Sequence, residues 1–67
     1  MASKVATYAF TDKSCYEAAK DYIKENYGND SWDPGTTSDY WLLHITSDCA
    51  NPGDAGRTCL SYNGKPY

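Results

Sequence analysis

The side chains able to do chemistry in this chain are few: one histidine, His44, and three cysteines, Cys15, Cys49 and Cys59. They are the right types for a Cys3His zinc site. No two cysteines stand at the short C-x2-4-C spacing with which one turn delivers two ligands, so structural roles are expected instead. A thiol or hydroxyl nucleophile needs an aligned base, and His44 is the sole histidine. Cys15, near the start of an expected helix, is the one thiol whose pKa a helix N-terminus can lower. A buried, inert thiol is the simpler expectation there. The stretch "NDSWDPGTTSDY" alternates carboxylates and amides as a calcium loop does. Counted from Asn29, its sixth position is Pro34 and its twelfth Tyr40, where an EF-hand needs glycine and glutamate. "NPGDAG" lacks the lysine of a phosphate-binding loop. Asn29-Asp30-Ser31 matches a glycosylation sequon, which has meaning only in an exported protein. No catalytic residue, metal set or cofactor site is therefore expected, and a chain this short leaves little room for a pocket of ligand size.

What remains is charge and aromatic surface. Glu17, Asp21 and Glu25 fall at i, i+4 and i+8, so on a helix they form one line. Asp30, Asp33 and Asp39 follow in the next stretch, beside Trp32, Tyr40 and Trp41. Like charges at that spacing cost a helix a few tenths of a kcal/mol per pair, so the row does nothing for stability. Lys20 and Lys24 dilute it. The bland reading is a solvated helix face. The sharper one is a negative ridge with aromatic anchors that fits a cationic groove on another protein.

Positioning these residues falls to a very small fold. A chain of 67 residues is one domain, and buries only about 60% of the surface its unfolded form exposes. Large aliphatic residues are scarce, whereas there are seven tyrosines, two tryptophans and one phenylalanine to close the core. The net charge of −3 argues against direct contact with a phosphate backbone. No span of apolar residues is long enough for a signal peptide or a membrane helix, so a soluble, cytoplasmic protein is expected. The odd cysteine count fits reduced thiols, with a Cys49–Cys59 disulfide as the alternative.

"KVATYAF", 4 to 10, alternates in the manner of a strand. "TDKSCYEAAKDYIKENYG" reads as a helix from about Cys15 to Asn26 or Tyr27. Ser14 and Glu17 stand at capping-box spacing, Gly28 sits at the C-terminal glycine position, and Tyr16, Ala19, Ile23 and Tyr27 form the apolar stripe. A long connection carrying the turn-forming pair Pro34-Gly35 follows. "DYWLLHIT", 39 to 46, is apolar on both faces and reads as a central strand. Residues 47 to 56 are turn-formers, "RTCLSY" reads as a third strand, and Asn63-Gly64 as a tight turn. The predicted fold is α+β: β-α-β-β in a single domain, 1 to 67, with one helix packed on a three-stranded, mostly antiparallel sheet.

Small size, acidity, aromatic content and the lack of an enzyme motif are together similar to the small inhibitors that phages and mobile elements encode against host nucleases, including anti-CRISPR proteins. The resemblance is one of general character and rests on no particular residue. It implies a stoichiometric inhibitor that occludes a basic, nucleic-acid-binding surface of a larger partner in the cytoplasm of a host cell. That partner would be a nuclease or a nucleoprotein complex, with no direct contact to nucleic acid or membrane. The expected contact set is Glu17, Asp21, Glu25, Trp32, Asp33 and Asp39. Two alternatives stand beside it: a small exported toxin or inhibitor stapled by Cys49 and Cys59, and a structural component of a larger assembly.

Overall fold

In the computed structural model, which describes residues 3–67, the alternating segment at the amino end forms strand β1, Lys4–Phe10. Helix α1 spans Lys13–Tyr27, and its N-cap is Asp12. The expected capping box from Ser14 to Glu17 does not form. The Asp12 carboxylate instead accepts from the backbone N–H of Ser14 at 2.9 Å and from its hydroxyl at 2.6 Å. These bonds, the hydroxyl's first, hold the Asp12 carboxyl below its ordinary pKa, and its charge lies at the positive end of the helix dipole. At the other end Gly28 adopts φ 98°, a conformation other residues rarely take, and returns its N–H to the Lys24 carbonyl.

A single 3-10 turn, Asn29–Ser31, leads into β2, Trp32–Thr36, and β3 follows as Trp41–Thr46. The expected loop around Pro34-Gly35 is thus a strand. Proline has no N–H to give to a ladder, but β2 lies at the sheet edge and pairs only with β3, where one side of the strand needs no partner. The true turn is Thr37–Tyr40. There the Thr37 hydroxyl oxygen accepts from the N–H groups of Asp39 and Tyr40, and the Thr37 N–H donates to the Tyr40 carbonyl.

The expected third strand at 57 to 62 is a second helix, α2, Pro52–Ser61. Asn51 caps it: its side chain accepts from the Asp54 N–H and donates to the Asp54 carboxylate, and Pro52 occupies the first turn. Asn63, at φ 68°, ends this helix and turns the chain back along β1, where Lys65–Pro66 forms the short strand β4. The fold is therefore α+β, with two helices and a four-stranded antiparallel sheet in the order β2-β3-β1-β4. The chain order is β-α-β-β-α-β, in place of β-α-β-β on three strands.

Both helices cover the same side of the sheet. Phe10 from β1, Leu43 and Ile45 from β3, Ala19 and Ile23 from α1, and Ala55 and Cys59 from α2 make one buried cluster with Cys49. Tyr8, Trp32 and Trp41 pack against it. Since side chains alternate along a strand, Thr7, Ala9, Leu42, His44 and Asp33 point to the opposite side, which no helix covers. Among the described residues no helix is long and apolar enough to cross a membrane.

At Gly64 the packing leaves no room for a side chain. A Cβ there would lie 2.6 Å from Phe10 Cζ and 2.7 Å from the Cys59 carbonyl oxygen, whereas one at Gly53 meets nothing nearer than 3.6 Å. Gly64→Ala is expected to destabilise the protein by about 1–3 kcal/mol. Gly53→Ala, inside α2, should leave it unchanged or stabilise it by up to about 1 kcal/mol. Urea unfolding of the two variants beside the wild type checks the contrast, and equal effects would overturn the packing argument.

Candidate functional site

Helical rotation of 100° per residue places Glu17, Asp21 and Glu25 opposite the buried pair Ala19 and Ile23. All three carboxylates are exposed along the outward side of α1. The one ion pair among the described residues, Lys20 to Asp21 at 3.7 Å, is a surface contact that screens the row little. Tyr22, 43% exposed, stands one helical turn from Glu25 and leans towards Tyr62 of the segment after α2, the ring centroids 6.5 Å apart. This side of the molecule offers charge and aromatic area together.

The other half of the expected contact set lies elsewhere. Asp33 is half-buried on the open side of the sheet, across from His44. Asp39 is exposed at the tip of the β2–β3 turn. Trp32 lies on the inner side, half-buried against the core, and its indole N–H is enclosed without a hydrogen-bond partner. Trp41 packs inward too. The six residues therefore do not share one surface: the helix row and Asp33 face opposite ways. The exposed rings are Tyr22, Tyr40 and Tyr67.

The potential zinc ligands are likewise dispersed. Cys49 and Cys59 lie in the core, Cys15 is half-buried near the Asn63 side-chain amide, and His44 is across the sheet. All three cysteines are free thiols. Burial pushes the Cys59 thiol up to about 12, which leaves it protonated and unreactive.

The open side of the sheet carries what the sequence did not reveal. A cleft of about 350 Å³ is lined by Ala9, Tyr40, Tyr67 and Pro66 together with the polar residues Thr11, Asn63 and Lys65. The Tyr40 and Tyr67 rings meet edge to face, centroids 6.1 Å apart. The volume falls at the low end of small-ligand sites, which run from roughly 300 to 1,000 Å³. It exists because β4 joins the sheet beside β1 and brings the last residues of the chain alongside the β2–β3 turn. No local sequence pattern signals such a meeting.

Next to the cleft, Thr7 Oγ1 and His44 Nδ1 lie 2.8 Å apart in a hydrogen bond across β1 and β3. The imidazole rests over Gly35, where a Cβ would come within 2.7 Å of Nε2. Desolvation, with a smaller push from Lys4 and an opposing pull from Asp33, lowers the His44 pKa below its ordinary 6.5. No protein-family model matches the chain, and neither a curated protein nor a solved structure shows a significant match to it.

The His44 shift sets a sign for pH dependence. A histidine that binds its proton less readily folded than unfolded makes the fold most stable above the unfolded pKa, with stability lost as pH falls from there through the folded value. Folding free energy should therefore drop on going below pH 6.5, the ordinary histidine value, and His44→Gln should remove that step. An imidazole proton titration by NMR with a midpoint at or above the ordinary value would contradict it.

Proposed function

We propose that the protein is a stoichiometric inhibitor that binds a larger protein through the outward side of α1 and occludes a basic surface there, one that otherwise takes nucleic acid. The observation that supports this reading is the exposed line of Glu17, Asp21 and Glu25 with Tyr22 beside it. Three carboxylates on one rigid helix repeat at about 6 Å, given a rise of 1.5 Å per residue, which is close to the spacing of successive phosphates along a nucleic-acid strand. Tyrosine at the margin of such a row supplies the apolar contact area that charge alone lacks. Asp39, at the tip of the β2–β3 turn, lies outside the row. Trp32 and Asp33 have no part in the contact.

The row can be removed without harm to the fold, because its side chains are exposed and repel one another slightly. The variant Asp21→Lys with Glu25→Lys should unfold at the same urea concentration as the wild type, within experimental scatter. Immobilised wild-type protein should retain a nucleic-acid-binding protein from host lysate, release it at raised salt, and displace nucleic acid from it at one-to-one stoichiometry. The charge-reversed variant should bind that partner about tenfold or more weakly, with a flatter salt dependence. Equal affinity of the two forms for the partner, or a partner whose nucleic acid is not displaced, would rule the reading out.

A further inference from the structure

The chain passes from α2 into β4 through Asn63-Gly64, and of its four asparagines this is the one followed by glycine. The backbone nitrogen after an asparagine can attack the side-chain amide carbon, and a glycine, having no Cβ, leaves that nitrogen least hindered. Asn26 is followed by Tyr27 inside α1, Asn29 by Asp30, and Asn51 by Pro52, whose nitrogen has no proton to lose. In the folded protein the pair is held apart from this reaction. The Gly64 N–H donates to the Cys59 carbonyl at 2.8 Å, and the residue is buried against the Phe10 ring. The Asn63 side-chain amide is turned towards Cys15, donating to its Sγ at 3.7 Å. Little keeps it so. Beyond Gly64 the chain is tied to β1 by the pairing of Lys65 with Ala9 and Pro66 with Tyr8 and by the Tyr67 N–H to the Thr7 carbonyl, and all three residues are exposed. So short an edge strand opens at a fraction of the free energy of global unfolding.

We propose that Asn63 is a site of spontaneous deamidation, with water as the reagent, and that the docking of β4 on β1 sets its rate. When β4 leaves β1 and the Gly64 N–H is freed from Cys59, the nitrogen gives up its proton and bonds to Asn63 Cγ. The Cγ–Nδ2 bond breaks, and the side-chain nitrogen departs with that proton as ammonia. Water then opens the cyclic imide at either carbonyl. Breaking the new N–Cγ bond leaves an aspartate in an unchanged backbone. Breaking the bond from the nitrogen to the main-chain carbonyl carbon leaves an isoaspartate, whose main chain runs through Cβ and Cγ and is longer by a carbon. Either product adds a negative charge. The isoaspartate also shifts Gly64 from a seat in which Phe10 and the Cys59 carbonyl leave no spare room, so β4 cannot regain its register and the cleft that Pro66 and Tyr67 line is opened.

The full chain, kept in mildly alkaline buffer with and without unfolding concentrations of urea, can be sampled over days by mass spectrometry, which reads the gain in mass as an amide becomes an acid and locates it by fragmentation. The gain is expected at Asn63 ahead of the other asparagines, and about tenfold or more slower in the folded protein than in urea. Pro66→Gly frees the chain beyond the pair and leaves the pair itself intact. It should raise the folded rate severalfold and leave the rate in urea unchanged. Asn63→Gln should abolish the gain at this position. The isoaspartyl fraction of aged protein, once separated, should unfold at lower urea than Asn63→Asp, which carries the same charge without the longer backbone. Equal rates with and without urea, a folded rate that Pro66→Gly does not alter, or no gain at Asn63 in urea overturns the proposal.

Discussion

Phe10, Leu43 and Ile45 are fully buried under two helices, and that one-sided burial governs the rest of the molecule. With so few large aliphatics the protein closes a single core layer. Small residues let it do so: Ala19 on α1 and Ala55 and Gly56 on α2 bring both helices close enough to share those three side chains. Nothing is left over for a second layer. The far side of the sheet consequently stays open, although Ala9 and Leu42 on it are each only 7% exposed. Both surfaces able to meet another molecule follow from this: the outward side of α1, which packing leaves free, and the uncovered side of the sheet.

An open sheet brings the risk of edge pairing with other chains. Here each edge carries a proline, Pro34 on β2 and Pro66 on β4. Neither has an N–H to offer an added strand, and β4 is two residues long. Prolines that read as turn signals in sequence thus work as edge protection in the fold.

That double meaning marks the boundary of what could be read in advance. β1, α1 and β3 were legible because each repeats its apolar residues over enough positions to fix a period, and Gly28 closes α1 where its position implied. β2 was not legible, since an edge strand with one covered side and a proline lacks both the alternation and the composition of its type. α2 reads as a strand on the alternation of "RTCLSY", six residues that satisfy either period. The deciding signals lay just upstream, in the cap formed by Asn51 and Asp54 around Pro52 and in Ala55, Gly56 and Cys59, whose spacing marks one side of a helix. At the candidate surfaces the division is similar. The exposure of Glu17, Asp21 and Glu25 followed from helical spacing alone. The inward packing of Trp32 and the cleft at Ala9 depend on which strands become neighbours, and no local pattern carries that information.

The placement of charge makes the two surfaces independent. The acidic row points away from the core on one side of the molecule, and Lys65 with its tyrosines lies on the other, separated by the helix layer and the sheet. Communication between the two sides would have to pass through the core, by way of β1, whose Phe10 touches the helix layer while its neighbour Ala9 floors the cleft. Adjacent residues on one strand are a short route but a stiff one. Phe10 has no free space to move into: its ring meets Tyr16 edge to face at 5.8 Å and lies against Gly64. A shift at Ala9 is therefore not readily passed to the helix layer.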